Sequence, residues 1–214
     1  ENIIERLGSK RVLAQFVFVY CGHGVQDEGN RGWVAPYGFN KKKRLSSGLR
    51  MDKLNDLAEE VSASQQLWVF DCCHAGNVLK GTRGGGNARF ALNKSRRSAV
   101  QAMTSVTRDQ LAEESKGHGL FSKVFCQGLE AFKSESKYIT FTTLQDYIDE
   151  RVNVKSLNMQ QPQFGSMLRD HKGQPCEGSF VFFDSKNPPI VKMEKPASST
   201  NNSSRGGKKS SKTR

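Results

Sequence analysis

The chain has 214 residues, 36% of them hydrophobic and 25% charged, with a net charge of +12. That is the size and polarity of one soluble α/β domain with a sizeable core and a tail, and no apolar run approaches the ~18 residues of a membrane span. Five cysteines (Cys21, Cys72, Cys73, Cys126 and Cys176) in an odd count without framework spacing exclude a secreted disulfide scaffold and point to a reducing, cytoplasmic setting.

Residues 1–10 carry Ile3, Ile4 and Leu7 at helical spacing and read as a helix end, with no basic or apolar leader. The chain is therefore expected to be an N-terminally truncated domain. Val12 to Tyr20 is a nearly continuous apolar run, the pattern of a strand buried on both faces. Residues 32–37, "GWVAPY", read as a short extended piece, and "KKKR" at 41–44 as a solvated loop. The amphipathic stretch 52–62, with Met51, Leu54, Leu57, Ala58 and Val61 on one side, predicts a helix leading into a strand over Leu67 to Asp71. Strand, helix, strand in that order forms a βαβ unit, so the two strands are expected to be parallel. The stretch 77–97, rich in Gly and basic residues, predicts a long exposed loop.

Ala99 to Val106 reads as a further strand. Leu120, Phe121, Val124, Phe125, Leu129 and Phe132 form the stripe of an amphipathic helix. Tyr138 to Phe141 is a strand candidate. "TLQD" at 143–146 is a weak capping signal for a helix presenting Leu144, Tyr147, Ile148 and Val152. "GSFVFFD" at 178–184 is the last strand. The fold class is α/β. Residues 186–214 hold eight Lys or Arg against one Glu, among Ser, Gly and Pro, and are expected to be a basic disordered tail. It is either a solubilising end or a contact for an acidic partner. The expected division is a domain over 1–184 and a tail over 185–214.

Two strand ends carry the chemistry. "FVFVYCGHG" finishes on Cys21-Gly22-His23-Gly24, and "LWVFDCCHAG" on Asp71-Cys72-Cys73-His74. Active groups of parallel α/β sheets collect at the carboxyl ends of strands. On neighbouring strands, an imidazole and a thiol would meet on one rim, where the imidazole can serve as the base for the thiol. Glycines beside it let the backbone turn sharply. Amides of Gly24 and of the nucleophile itself could receive an oxyanion. A structural turn histidine is the plain alternative. A zinc site from Cys21, His23, Cys72, Cys73 and His74 is another, but adjacent cysteines do not match zinc-ligand spacing. Pattern alone does not choose between Cys72 and Cys73.

"YCGHG" followed by "FDCCHAG" resembles the clan of caspases and metacaspases. "GHGLFS" (117–122), "QPQFG" (161–165) and "GSFVFF" (178–183) resemble later segments of its metacaspase-like and bacterial members. The resemblance implies a three-layer sandwich, a mostly parallel sheet with helices on both faces, lacking its N-terminal strands here. It implies Cys73 as nucleophile and His23 as its partner, with Cys72 filling a position commonly small and His74 a loop residue. It implies that Asp71, two places before the nucleophile, lines the pocket for an Arg or Lys side chain, through charge-assisted hydrogen bonds. Cys21 stands beside that pocket where a serine is common, and a thiol is the weaker hydrogen-bonding group. A strand-end cap is the alternative role for Asp71. A second pocket acid, which family members carry upstream, is not seen.

The expected activity is cysteine endopeptidase, cutting a peptide or protein substrate after Arg or Lys through a thioester, with no cofactor. Asp27 and Glu28 are too few for a calcium site of 6 to 8 oxygens, so calcium dependence is expected to be weak or absent. Lys80 and Arg83, in the basic loop beyond the nucleophile, are candidate self-cleavage sites. The rival readings are a non-catalytic caspase-like interaction or scaffold module, and polyanion binding through the tail.

Overall fold

The computed structural model describes residues 13–79, 97–107, 114–115, 118–133, 138–166 and 176–183. The predicted N-terminal helix end, most of the basic loop with Lys80 and Arg83, and the basic tail lie outside them. In chain order the strands and helices are β1 (Leu13–Cys21), β2 (His23–Gln26), β3 (Gly32–Ala35), α1 (Arg44–Ser47), β4 (Leu49–Arg50), α2 (Leu54–Glu60), β5 (Ala63–Asp71), β6 (Ala99–Thr104), β7 (Glu114–Ser115), β8 (His118–Gly119), α3 (Leu120–Lys133), β9 (Tyr138–Thr140), α4 (Phe141–Lys155), β10 (Gln163–Ser166) and β11 (Val181–Phe183).

The main sheet has the order β1-β5-β6-β10. The first three strands are parallel and β10 runs antiparallel to β6. The βαβ expectation thus holds: β1 and β5 pair in parallel with Cys21 opposite Asp71. The sheet separates two apolar layers. On one face Trp68, Phe70, Val100 and Ala102 pack with Met51, Leu54, Ala58 and Val61 around α2, and Phe16, Phe18 and Tyr20 of β1 join them. Phe16 and Phe18 lie against Trp68 at ring separations of 5.3 and 5.2 Å. On the other face Leu67, Val69 and Met103 are covered by α3 and α4. Each such side chain taken fully out of water contributes about 1.5–3 kcal/mol. This is an α/β sandwich with helices on both faces of a mostly parallel sheet.

The stripe predicted on α3 is the buried one. Leu120, Phe121, Val124 and Phe125 are buried, and Leu129 and Phe132 pack against the same layer.

Three predicted features differ. β1 is not buried on both faces: Val17 and Val19 are 44% and 50% exposed, because α3 and α4 pack over β5 and β6 rather than over β1. The KKKR run is not a plain loop but a 3-10 turn, Lys41–Lys43, running into α1, with Asn40 capping it and no buried residue. α4 starts earlier than TLQD indicated. Its cap is Thr140, whose hydroxyl accepts from the Thr143 amide at 3.1 Å, so Thr143 is the capped residue and not the cap. The predicted last strand is present as β11 and pairs with β9 in a separate two-stranded sheet.

That small sheet is pinned to the main one by buried glutamines. Gln65 Nε2 donates to the Ser179 carbonyl at 3.0 Å, and Gln65 Oε1 accepts from Val181 N at 3.3 Å. Gln101 Oε1 accepts from Phe180 N at 2.6 Å. Buried backbone groups need such partners, and here side-chain amides stand in for a strand ladder.

Candidate active site

β1 ends at Cys21, and the ladder closes one residue later with Gly22 N donating to the Asp71 carbonyl at 3.1 Å. The chain then turns into β2. The Tyr20 hydroxyl secures this corner, its one proton shared between the carbonyls of His23 and Ala35 at 3.1 and 2.9 Å. His23 stands opposite Ala35 in the β2–β3 pair, and Gly24 opposite Val34. As a result Gly24 lies directly on the Cys73 backbone: a Cβ there would overlap the Cys73 carbonyl oxygen and stand 2.8 Å from its carbon and 3.2 Å from its nitrogen. The two motifs read from the sequence, distant along the chain, come together on one rim.

The turn after β5 is stiff. His74 holds a left-handed backbone, φ 59°, uncommon for a residue with a Cβ. The turn is tied from β6: Ser105 N donates to the Phe70 carbonyl at 2.9 Å, and Ser105 Oγ to the Cys72 carbonyl at 3.3 Å. Gln160 Nε2 in turn donates to the Ser105 carbonyl at 2.8 Å. Sequence reasoning did not single out Ser105 or Gln160. Their only signal was position, after a strand and just before "QPQFG".

The two adjacent cysteines differ in kind. Cys72 is 1% exposed and packed in the apolar layer, and burial, reinforced by the Asp71 charge and the neighbouring Cys73 and Cys21 thiols, pushes its thiol far up. It stays protonated and unreactive at ordinary pH. Cys73 is partly exposed.

Asp71 is 6% exposed. Its Oδ2 accepts from Ser122 N in the first turn of α3 at 3.0 Å. Gly119, just before that helix, has no side chain to cap it. A Cβ there would overlap the Asp71 carboxylate. Asp71 therefore caps α3 from another strand, where a carboxylate is favoured by the unpaired amides and the helix dipole. The cap role and a pocket role are compatible, since one donor leaves a carboxylate with further acceptor sites. Cys21, exposed, has its Sγ 3.1 Å from Ser122 Oγ.

Asp27, named above as a weak calcium candidate, is occupied by the protein. Its side chain is 3% exposed. It accepts from the amides of Gly29 and Arg31, from Arg31 Nε at 2.9 Å and from the Trp33 indole at 3.0 Å, with Arg44 Nε at 3.6 Å. Burial alone would lift its pKa, but the Trp33, Arg31 and Gly29 hydrogen bonds and the Arg31 charge outweigh it and hold the carboxyl at about 2. A carboxyl depressed in the folded state stabilises the fold fully above its unfolded value near 4. That contribution is lost as pH falls toward 2. Urea midpoints measured at pH 6, 4 and 2.5 are expected to fall more steeply for the wild type than for Asp27→Asn. Equal slopes would contradict this.

Among the described residues no three His, Cys, Asp or Glu side chains are grouped so as to hold a metal ion. No helix among them is long and apolar enough to cross a membrane. The loop residues Lys80 and Arg83 lie outside the described residues.

No curated protein matches the chain. Among solved structures, it is similar to the crystal structure of a Geobacter sulfurreducens protein, with a TM-score of 0.50 and 19% identity over 80% of this chain and 71% of that one. At that identity the likeness concerns the fold alone. The caspase domain model of the C14 peptidases matches residues 4–172. With the two strand-end motifs brought together on one rim of a mostly parallel sheet, the chain belongs to the caspase domain family, a family of cysteine peptidases.

Proposed function

We propose that the protein is a cysteine endopeptidase that hydrolyses peptide bonds after Arg or Lys, with Cys73 as nucleophile and His23 as its acid–base partner. The observation that carries this reading is the packing of Gly24 on the Cys73 backbone, which joins the histidine turn to the cysteine turn. His23 takes the Cys73 proton, and the sulfur attacks the substrate carbonyl. The oxyanion lies against the amides of Gly24 and Cys73. The intermediate collapses to a thioester as His23 delivers the proton to the departing amine. Water, deprotonated by His23, then releases the acid and restores the thiol. No cofactor is needed. Weak or absent calcium dependence is favoured by the occupation of Asp27 by four protein donors.

The preference for a basic side chain is assigned to Asp71, beside Cys21. Fluorogenic peptides ending in Arg, Lys or Asp separate the possibilities. Wild type is expected to cut the Arg and Lys peptides and not the Asp peptide. Activity on Asp alone would refute the basic preference, and inactivity on all three would favour a non-catalytic interaction module.

The two roles of Asp71 are separable. Asp71→Asn keeps an oxygen for Ser122 N but loses the charge. It is expected to fold normally and to lose about 10²-fold or more in kcat/KM on basic peptides, as for a charged partner removed from a recognition site. Asp71→Ala also removes the cap, lowering stability by about 1 kcal/mol. Wild-type rates in Asp71→Asn would leave Asp71 a cap only.

A further inference from the structure

Cys21 and Asp71 face each other across the β1–β5 pair, and one residue from a third element touches both. Ser122 N donates to Asp71 Oδ2 at 3.0 Å, while Ser122 Oγ lies 3.1 Å from Cys21 Sγ. Ser122 sits 51 positions from one and 101 from the other along the chain. We infer that Ser122 is a specificity-determining residue, its hydroxyl oxygen accepting a hydrogen bond from the guanidinium or ammonium of the residue before the cleaved bond. This rests on the reading of Asp71 as the acid that receives a basic side chain.

A guanidinium brings five N–H donors and an ammonium three, none of them able to accept. A buried donor left without a partner weakens binding. Asp71 cannot satisfy them alone, because part of its Oδ2 is given to the helix amide. Cys21 adds little, since a thiol sulfur is a weak acceptor. The hydroxyl of Ser122 supplies what that position lacks. It has two lone pairs and one proton, and the Cys21 contact uses only one of these. Whichever of the two donates, at least one lone pair on Oγ is left for an incoming cation.

The position of the Ser122 backbone is set by packing. Leu120 and Phe121, the residues before Ser122, are buried beneath the sheet. Gly119 lets the start of α3 press against the Asp71 carboxylate. With its amide on Asp71 and its neighbours in the core, the Ser122 backbone is held beside the carboxylate, and the Cys21 contact turns its hydroxyl toward the same place. The amide contact would survive loss of the hydroxyl, so the recognition role can be tested without removing the cap.

The test is steady-state hydrolysis of Arg and Lys fluorogenic peptides by the full chain, with thermal unfolding recorded alongside. Ser122→Ala is expected to raise KM about 10-fold with kcat within about 2-fold and the melting temperature nearly unchanged. Ser122→Thr, which restores the hydroxyl, is expected to return KM to within about 2-fold of wild type. Should Ser122→Ala misfold, Ser122→Cys, close in size and a weak acceptor, is expected to show the same rise. Unchanged KM in a folded Ser122→Ala or Ser122→Cys would overturn the assignment, as would a rise that threonine does not rescue. A wild-type protein inactive on both basic peptides would refute the underlying peptidase reading, an outcome distinct from an active wild type indifferent to Ser122.

Discussion

Cys73→Ala is expected to reduce peptide hydrolysis by about 10⁴-fold or more, the scale seen when a covalent nucleophile is removed, while Cys72→Ala retains turnover within a few-fold. The contrast rests on position and not on chemistry, for the two residues are the same and adjacent. The Cys72 side chain points into the layer holding Trp68, Phe70 and Ala75. Ionising it there is opposed by burial first and by the Asp71 carboxylate next. Cys73 is partly open and lies under Gly24. Truncating Cys72 should cost about 1 kcal/mol, the scale of one small buried group. Alkylation adds a second readout: iodoacetamide at neutral pH is expected to modify Cys73 and to spare Cys72 in the folded protein. Equal activity losses in the two variants, or faster labelling of Cys72, would reverse the assignment.

Gly24→Ala is the second large effect. The added methyl would overlap the Cys73 carbonyl oxygen, with the carbonyl carbon 2.8 Å away. What it meets is backbone, so no rotamer change relieves it. β2 cannot simply retreat, because His23 to Gln26 are paired with Gly32 to Ala35. Nor can the Cys73 turn, whose neighbour Cys72 is tied to Ser105. Either the hairpin or the Cys73 turn must move by an ångström or so, and in the proposed mechanism a misplacement of that size costs about 10²-fold in rate. The accompanying strain should lower stability by about 1–3 kcal/mol. Gly22 offers the comparison, since a Cβ there would meet the Tyr20 hydroxyl at 2.7 Å, a side chain that can shift if it gives up its two hydrogen bonds. Gly22→Ala should therefore be the milder variant in both activity and melting temperature. The reverse order would show that the Gly24 contact is not what aligns the two turns.

Much of the scaffold was legible because its signals are local. β1 and β5 announce themselves as apolar runs, and their parallel pairing follows from the helix between them. The α3 stripe is read directly from its spacing. Failures came where long-range packing decides. Val17 and Val19 have core-type side chains, yet their exposure depends on where α3 and α4 settle. β10 is made of Gln, Phe, Gly and Ser, with no alternation to betray it, and exists by pairing with β6. At the site, His23 and Cys73 were visible because each follows the end of an apolar strand, His23 between two glycines and Cys73 two places after Asp71. Ser122 was not, since its meaning depends on contacts with residues 51 and 101 positions away. "GHGLFS" was noticed as a family-like segment, but nothing in its composition says that its glycine and serine close around Asp71.

The glutamines at the opposite end of the sheet bear on the same rim. β5 begins near Gln65, which grips the Ser179 and Val181 backbone, and finishes at Asp71, roughly 20 Å further on at the usual rise of ~3.3 Å per residue. A strand clamped at its origin behaves as a rod, so slack at the origin reappears as tilt at the tip. Ser179 to Val181 thereby bear on the placement of the thiol through the strand between them.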